Sequence, residues 1–490
     1  MIYYYQRACK YANNSFYDGM TAMNEGEKRV RYRRKRKGRK PELSTTQMIS
    51  LSFLSAILVG AALLMLPCST VPGEETDFLT ALFTATTSVC VTGLVVVDTF
   101  SHWTLFGQIV IMLLIQVGGI GVVCLSAVLL ILIHKRLSLK TRVLMMDSFN
   151  LDSIKGVAGF CQRVVRDIFI VEGIGAILSA FVFVPEFGNT KGIYVSIFHS
   201  ISAFCNAGID VIGPDSLCRY SGNYFILFVT MMLIVLGGLG FVVWFDVANA
   251  VGAFFSKAEG RKRFRLHEQT KLVLALTAVL IVSGAMLTFL AEMDNPATMQ
   301  SMSLGAKIWN SFFQSVTFRT AGFMTVSQKG LREVTALFGL MYMFIGGSPM
   351  GTAGGVKTVT FFALMLYAIS FLRDREKPVV FNRAFPIETI RKAVAIILIS
   401  FLVTSLLSIM LMFTDHSILM TDALFETFSA TATVGLSRNL TSSLTPAGRM
   451  IIITAMYLGR IGPISLVMFF RGQKAKKNLL TSAEGKYYMG

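Results

Sequence analysis

The sequence predicts an all-α polytopic membrane protein, and three observations lead to that fold class. Of the 490 residues, 53% are hydrophobic and only 15% are charged, and the mean hydropathy is +0.61. No Lys or Arg occurs between Met48 and His134. Similar apolar runs recur towards the C-terminus, and each supplies the ~20 residues that a spanning helix needs. This composition excludes an ordinary soluble protein of this size.

Eight long apolar spans set the predicted orientation of the chain. Their ranges are 48–66, 104–133, 167–184, 223–255, 272–291, 334–372, 393–413 and 450–470. An even number of crossings places both termini on one side, and 36 of the 46 Lys and Arg residues fall on that side. Because the cytosolic flanks of membrane helices are rich in Lys and Arg, both termini are predicted to be cytosolic.

The net charge of +18 by itself suggests a nucleic-acid partner, but the position of the charges favours membrane lipids. Ten basic residues lie in Lys28–Lys40, directly before the first apolar span, where a cytosolic flank is expected to be basic. The polar segment 1–47 lacks the apolar core of a signal peptide. The seven cysteines show no CxxC spacing, so neither a disulfide framework nor a bound metal is predicted.

Four short, half-apolar segments on the outer side end in glycine loops at a near-constant interval. The loop glycines are Gly93, Gly208, Gly322 and Gly435, separated by 115, 114 and 113 residues. Each is preceded by a short helix, predicted at 76–88, 193–204, 304–315 and 419–429. We therefore predict four repeats of span, short re-entrant helix, glycine loop and span. The predicted organisation is a cytosolic basic tail 1–47, repeats 48–133, 134–255, 256–372 and 373–470, and a cytosolic tail 471–490.

A second glycine series follows the loops, and its third member resembles a phosphate-binding loop. The series reads "GGIG" (118–121), "GGLG" (237–240), "GGSPMG" (346–351) and "GRIG" (459–462). Gly351 and Lys357-Thr358 match parts of the GxxxxGK[ST] motif, but Val356 stands where that motif needs glycine, and a membrane span precedes it. Nucleotide binding is therefore not predicted at this segment.

The sixth span is predicted to be broken within this segment. Its 39 residues would be ~58 Å long as one helix, against a hydrocarbon core of ~30 Å. Pro349 removes a helix donor and the glycines lower helix propensity. The break is therefore expected just beneath the third glycine loop, in the cytosolic half of the protein.

Glycine loops at membrane depth suit the passage of a cation. Irregular backbone is tolerated there only where protein buries it or where it lines a watery cavity. Glycines let carbonyl oxygens turn inwards, and rings of carbonyls replace the hydration shell of a potassium-sized ion. The short helices would aim their negative dipole ends at the same centre. Simple turns between hairpin helices are the alternative for any single loop, but four loops at one period favour a filter.

These motifs carry a resemblance to a known family. The segment 87–121, "SAFCNAGI", "FRTAGF" and "GGSPMGTAGGVKT" resemble the Trk, Ktr and HKT potassium-transport superfamily over nearly all of 48–490. The chain is most similar to the Ktr type of membrane subunit (KtrB), because the N-terminal tail has no room for the two additional helices of Trk subunits. The C-terminal "EGKYYMG" (484–490) also resembles the Ktr type. In having glycine rather than serine at position 93, the chain resembles the potassium-permeable members of this superfamily.

The resemblance implies two sets of functional residues. The implied selectivity filter consists of Val91, Thr92, Gly93, Asn206, Ala207, Gly208, Thr320, Ala321, Gly322, Thr433, Val434 and Gly435. The implied gate consists of Gly346, Gly347, Ser348, Pro349, Gly351, Gly354, Gly355, Lys357 and Arg460. Arg460 replaces the second glycine of its GGxG motif, and a lipid-facing arginine there would cost ~2.5–3.5 kcal/mol, so it should face the pore or a partner. Cys90 and Cys205 are interpreted as small packing residues.

The resemblance also implies partners. It implies a homodimer on a cytosolic ring of nucleotide-binding regulatory subunits of the RCK type, in a bacterial plasma membrane. The basic loops 134–166, 256–271 and 373–392 are possible docking surfaces, although solvated loops explain them equally well. Potassium is the expected transported ion, with sodium dependence implied by the resemblance alone. No cofactor is expected.

Two other functions stay open at this point. A secondary permease for an organic solute also uses broken helices, but such permeases more often show twofold repeats. A membrane enzyme acting on a phosphorylated lipid would need clustered carboxylates or histidines at membrane depth, which the sequence does not display. We therefore expect a transporter and no enzymatic activity.

Overall fold

A computed structural model describes residues 45–122, 124–125, 142–143, 146, 156–255, 266–375, 378–381 and 383–462. The all-α prediction is confirmed, apart from a two-stranded hairpin of β1 (Val379–Val380) and β2 (Arg383–Ala384). The helices are α1 Thr45–Leu64, α2 Phe78–Cys90, α3 Thr99–His102, α4 Leu105–Ile120, α5 Val157–Phe187, α6 Asn189–Cys205, α7 Tyr224–Leu239, α8 Phe241–Phe255, α9 Glu268–Glu292, α10 Leu304–Phe318, α11 Glu333–Phe344, α12 Thr358–Leu372, α13 Ile387–Thr414, α14 Met420–Thr431 and α15 Pro446–Ile461. Two short 3-10 helices, Cys218–Tyr220 and Thr441–Ser443, lie in the outer loops.

Several of these helices can span a membrane. Within the described ranges, α1, α5, α9 and α13 are long and apolar enough to cross, and α7 with α8 adds a fifth if the bent pair is one span. Shorter apolar helices are α2, α4, α11 and α12. The ends of two predicted spans, 126–133 and 463–470, lie outside the described residues. So do the basic segment Lys28–Lys40, most of the 134–166 loop, 256–265 and the C-terminal 471–490.

The structure corrects two predicted spans. The span predicted at 167–184 begins at Val157, so residues 157–166 are helical and not a loop. The span predicted at 223–255 is not continuous, because α7 and α8 meet at a 103° bend at Gly240. Gly240 has φ +90°, a conformation that glycine adopts at little cost and that ends the helix.

The predicted break in the sixth span is confirmed. α11 ends at Phe344 and α12 begins at Thr358, leaving residues 345–357 without a helix. We call this segment the inner loop. It holds Pro349 and five glycines, which explains why neither helix extends through it.

The four short helices α2, α6, α10 and α14 connect the spans into a closed arrangement. Each packs against the spans on either side of it in the sequence. Three of them also pack against the apolar helix that follows the preceding glycine loop: α6 against α4, α10 against α7 and α14 against α11. The contact of α2 with α15 joins the first quarter to the last. These contacts link the four short helices, through the spans next to them, into a closed cycle.

Side-chain caps fix where two of the four short helices, α2 and α10, begin. Asp77 accepts a bond from the Thr80 amide at 3.0 Å, and Ser303 accepts one from the Ala306 amide at 3.3 Å. Such caps satisfy amides that a helix start leaves unpaired. The helices themselves are strongly buried; Phe83, for example, is fully buried.

Candidate functional site

The four glycine loops, residues 91–93, 206–208, 320–322 and 433–435, share one backbone conformation. The residue two before each glycine is left-handed: φ is 56° at Val91, 60° at Asn206, 68° at Thr320 and 52° at Thr433. The glycines also have positive φ, of 99°, 64°, 83° and 93° in chain order. The residue between them is not in the positive region. Alternating the sign of φ along an extended segment turns successive carbonyls to the same side, as a ring of carbonyls requires.

The middle residue of each loop ties the loop to its short helix. Its amide donates to a backbone carbonyl near the helix end: Thr92 to Thr87 at 2.8 Å, Ala207 to Ser202 at 2.8 Å, Ala321 to Thr317 at 3.1 Å and Val434 to Ser429 at 2.8 Å. These bonds place every loop at the negative end of a helix dipole.

The four loop glycines meet one another. A Cβ added to Gly93 would lie 3.2 Å from the Cα atoms of both Gly208 and Gly435. One added to Gly322 would lie 2.9 Å from the Gly208 Cα and 3.4 Å from the Gly435 Cα. The structure thus brings the twelve predicted filter residues together, and it leaves no space for a side chain at the four glycines.

Three threonine hydroxyls in these loops lack a partner. Thr92 Oγ1, Thr320 Oγ1 and Thr433 Oγ1 accept and donate no hydrogen bond within the described part of the chain, and these residues are at most 1% exposed. A buried hydroxyl without a partner costs ~1–3 kcal/mol. Oxygen atoms left open in this way are available to a cation.

Two cavities lie near the loops. The outer cavity, of about 220 Å³, is lined by all four loop glycines. The inner cavity, of about 330 Å³, is lined by part of the inner loop, by α13, by the end of α14 and by Arg460. The four loop glycines therefore border only the outer cavity.

The inner loop docks on the bend between α7 and α8. The Ser348 amide donates to the Gly238 carbonyl and the Thr352 amide to the Gly237 carbonyl, both at 3.0 Å. In return, the Phe241 amide donates to the Met350 carbonyl at 3.2 Å. These bonds satisfy backbone groups that two interrupted helices leave open.

Close backbone approach explains several of the predicted gate glycines. A Cβ on Gly354 would lie 1.9 Å from Thr433 Oγ1, so the inner loop touches the fourth glycine loop. A Cβ on Gly346 would meet the Gly354 carbonyl, and one on Gly347 would meet the Ala353 side chain. Gly355 has φ +65°.

The remaining glycine contacts link the inner loop to the α7–α8 bend. A Cβ on Gly351 would lie 2.8 Å from the Gly237 carbonyl oxygen, and one on Gly240 would lie 2.3 Å from the Pro349 carbonyl oxygen. No side chain fits at either position without moving the backbone opposite.

Of the two predicted intramembrane cations, Lys357 ends the inner loop and Arg460 contacts it from α15. Lys357 Nζ donates to the Ala353 carbonyl at 2.6 Å. Arg460 donates through one terminal nitrogen to the Thr352 carbonyl at 2.7 Å and through the other to the Gly118 carbonyl of α4. Arg460 therefore ties the inner loop to the first inner span, and it does not face lipid.

The structure reveals one buried cluster that the sequence analysis missed. Glu172 of α5 is 4% exposed and accepts a bond from Gln116 Nε2 at 2.9 Å. Cys205 Sγ lies 3.7 Å from Glu172 Oε1 and 3.7 Å from Gln116 Oε1. Since Cys205 directly precedes Asn206, the cluster supports the second glycine loop from behind. A glutamate inside the predicted span 167–184 was the available signal. Cys90 is fully buried, as its predicted packing role requires.

Comparison with known proteins identifies a family and several relatives of this chain. A family model described as "TrkH: Cation transport protein" matches residues 18–479. The chain is 38% identical over 444 residues to the Ktr system potassium uptake protein B of Bacillus subtilis, covering 91% of this chain and 96% of that protein. It is 35% identical over 442 residues to the potassium/sodium uptake protein NtpJ of Enterococcus hirae, covering 89% of this chain and 95% of that protein.

A solved structure shares the fold. The crystal structure of the potassium transporter TrkH from Vibrio parahaemolyticus superposes with a TM-score of 0.69 at 17% identity, covering 88% of this chain and 87% of that one. The helical fold, the apolar spans and the family match agree. This chain is a membrane protein and not an enzyme, and it belongs to the TrkH family of cation transport proteins.

Proposed function

We propose that this protein takes up potassium across the plasma membrane through a selectivity filter formed by the four glycine loops. One observation carries the proposal: four loops of identical backbone handedness converge until their glycines touch. Alternating φ turns their carbonyls inwards, and the unpartnered threonine hydroxyls add further oxygen ligands. Such oxygen ligands replace the water around a potassium ion. The names of the Bacillus subtilis and Enterococcus hirae relatives agree with this ion.

The inner loop acts as the gate. It lines the inner cavity and contacts Thr433 through Gly354. Arg460 holds it by a carbonyl bond, and Lys357 closes a bond within it. Their charges add an electrostatic barrier to a cation leaving the filter. Release of these bonds would let the loop move aside. The predicted gate residues of the inner loop thus act as one segment, held by Arg460 from α15.

Partners and coupling follow from the relatives. A Ktr system protein B works, by its name, within a system of several components, so a separate regulatory subunit fits this chain. Sodium dependence is supported by the potassium/sodium name of the Enterococcus hirae relative. Assembly as a homodimer on a nucleotide-binding ring, with both termini cytosolic, completes the proposal.

Uptake by proteoliposomes tests the filter. The full chain, purified with its co-expressed cytosolic partner, should take up ⁸⁶Rb⁺ with saturating dependence on the ion, and potassium should compete. Gly93→Ser should reduce Rb⁺ uptake relative to Na⁺ uptake, because a side chain at 93 would collide with Gly208 and Gly435.

Gly73→Ser is the matched control. Gly73 also has positive φ, of 98°, but nothing lies within 4 Å of an added Cβ. It carries the same backbone strain without touching the loops. Equal Rb⁺ to Na⁺ ratios in the two variants would reject the filter, and the absence of any cation uptake by the unsubstituted protein would reject potassium transport.

A further inference from the structure

The four short helices differ at one buried position, which lies nine residues before the loop glycine. The residues there are Thr84, His199, Phe313 and Glu426, and each is at most 6% exposed. Glu426 of α14 is fully buried and is the one carboxylate among these four residues. Burying a carboxylate is costly unless hydrogen bonds compensate it. The fourth quarter of the chain therefore carries a group that needs specific partners at this position.

The partners of Glu426 lie in residues 437–441, which leave the fourth glycine loop and which we call the exit segment. Ser437 Oγ donates to Glu426 Oε2 at 2.7 Å, and Thr441 Oγ1 donates to Glu426 Oε1. Ser437 Oγ also accepts the Leu440 amide at 3.1 Å, so its single proton is free for the carboxylate. One side chain thus joins α14, which leads into the loop, to the exit segment, which leads out of it.

Hydroxyl groups, and not a cation, compensate Glu426. Within the described part of the chain, no Lys, Arg or His forms an ion pair with it. Arg438 of the exit segment pairs instead with Asp422 of α14 at 3.2 Å and with Glu333 of α11 at 2.9 Å. That pairing is a second link between the exit segment and α14, and it leaves Glu426 to the two hydroxyls.

A neutral version of this link holds the third glycine loop. Gln314 of α10 and Gln328, which follows the third loop, exchange two amide bonds of 2.8 and 3.2 Å. Gln328 lies six residues after Gly322, as Thr441 lies six residues after Gly435. Hydrogen bonds to a charged acceptor are roughly twice as strong as neutral ones. The side-chain link of the fourth loop is therefore expected to be the stronger of the two.

The fourth glycine loop is in contact with the inner loop. A Cβ on Gly354 would lie 1.9 Å from Thr433 Oγ1 and 2.9 Å from the Ala432 carbonyl oxygen. A movement of the inner loop would therefore act directly on the fourth loop. Ser437 and Thr441 line the outer cavity together with the four loop glycines, so the exit segment borders the space outside the loops.

We propose that Glu426 is a positioning residue for ion selection, which fixes the exit segment to α14 and so keeps the oxygens of the fourth glycine loop in place. This inference rests on the proposed filter. Selection between potassium and sodium depends on the number and arrangement of the oxygens that replace the hydration shell. A fourth loop held only at its entry would follow the inner loop when that segment moves, and its oxygens would then also accept sodium. The two hydroxyl bonds to Glu426 prevent that movement.

The ratio of ⁸⁶Rb⁺ to ²²Na⁺ uptake by proteoliposomes that contain the full chain and its co-expressed partner tests the selection. Glu426→Gln keeps the side-chain shape but leaves one acceptor oxygen for two hydroxyls, so the ratio should fall about threefold. Thr441→Val removes one donor at nearly constant volume and should lower the ratio by a similar factor. Ser443→Ala is the matched control, because the exposed Ser443 hydroxyl bonds to the Leu440 carbonyl and not to Glu426. Its ratio should equal that of the unsubstituted protein.

The double variant Glu426→Gln with Thr441→Val separates positioning from a general loss of stability. If the two residues act through their shared bond, the ratio should fall by less than the about ninefold that independent effects would give. A full ninefold fall would overturn the proposal. Single-variant ratios equal to that of Ser443→Ala would also overturn it.

Hydrogen–deuterium exchange of the purified complex gives a readout that needs no transport. In Glu426→Gln the Val434 and Leu440 amides should exchange about threefold faster than in the control, because the exit segment opens more often. Exchange equal to the control would contradict the link. Faster exchange with an unchanged uptake ratio would show that Glu426 holds the segment without influencing ion selection. Absence of Rb⁺ uptake by the unsubstituted protein would reject the proposed function, and the exchange measurement would still decide whether Glu426 holds the exit segment.

Discussion

Two interrupted helices lie side by side beneath the glycine loops, and they are interrupted in different ways. Between α7 and α8 a single residue, Gly240, produces a bend of 103°. Between α11 and α12 thirteen residues leave the helix altogether. Both interruptions occur in the same glycine series, but only the second contains proline and additional residues. The one-residue interruption at Gly240 produces a bend, whereas the thirteen-residue inner loop keeps its position through contacts with other parts of the chain.

The bend is the surface that holds the segment. Three backbone bonds join the inner loop to residues 237–241, and Arg460 and Lys357 add carbonyl bonds of their own. The comparison therefore predicts that changes at the bend disturb the filter and the gate together, while changes in the loop's holding residues affect the gate alone.

The largest effect is expected at the bend. In Gly237→Ala the new Cβ would lie 1.9 Å from the Phe204 carbonyl oxygen, next to the end of a short helix, and 2.8 Å from the Thr352 hydroxyl. Forced overpacking of this kind costs ~1–3 kcal/mol or more. Rubidium uptake should fall by about tenfold or more, and the unfolding temperature should drop.

Gly222→Ala is the control for that variant. Gly222 has nothing within 4 Å of an added Cβ and precedes α7. Uptake in Gly237→Ala that equals uptake in this control would contradict the close contact with Phe204.

Arg460→Ala should have the next largest effect, in the opposite direction. It removes two charge-assisted bonds to carbonyls, each worth ~1.5–3 kcal/mol, together with a positive charge beneath the filter. We expect uptake to rise up to about tenfold, or its dependence on membrane potential to change. The measurement is Rb⁺ flux in proteoliposomes at imposed potentials of both signs.

Arg449→Ala, on the same helix, controls for the loss of an arginine. Its guanidinium donates to the Leu444 and Ser442 carbonyls in the outer loop and makes no bond to the inner loop. If both arginine variants behaved alike in flux and in voltage dependence, the inner loop would not depend on Arg460.

Lys357→Met should have a smaller effect in the same direction. Methionine keeps much of the side-chain volume and removes the single bond to the Ala353 carbonyl. Loss of one charge-assisted bond leaves the Arg460 bonds in place, so we expect uptake to rise by about threefold. Lys329→Met, in an outer loop, is the control. A decrease in uptake would show that Lys357 supports conduction and does not restrain it.

Glu172→Gln should have the smallest effect and tests how firmly the second glycine loop is held. The amide keeps the shape of the carboxyl group, but it offers one acceptor oxygen where Glu172 accepts from both Gln116 and Cys205, so one of these two contacts is lost at a cost of ~1 kcal/mol. We expect about a twofold change in the ratio of Rb⁺ to Na⁺ uptake and a small decrease in unfolding temperature. If the ratio were unchanged and only the unfolding temperature fell, Glu172 would stabilise the fold without influencing ion selection.

The sequence was sufficient to locate the inner loop but not the surface on which it docks. The 39-residue span and Pro349 predicted the break at the inner loop, which the structure confirms. The break at Gly240 was missed although 33 residues of helix, ~50 Å, also exceed the hydrocarbon core. The length argument applied equally there, but uniform apolarity and the absence of proline concealed the break.

Contacts between distant segments were beyond the reach of one sequence. Glycine spacing indicated which loops belong together, because a repeat length is visible along the chain. The pairing of Gly118 with Arg460, and of Gln116 with Glu172, depends on how helices pack. Such pairs leave no periodic pattern in the sequence, so the partner of Glu172 could be identified only from the structure.

The left-handed loop residues have a consequence for synthesis of the chain. Val91, Thr320 and Thr433 are β-branched, and each holds a backbone conformation that costs of order 1–3 kcal/mol. Backbone bonds to its own short helix and packing against the neighbouring loops together hold that conformation. The contact of α2 with α15, the last described helix, joins the first loop to the last. A nascent chain with one or two quarters inserted would therefore lack an assembled pore. If the loops form the proposed filter, conduction would begin only after α15 has been inserted.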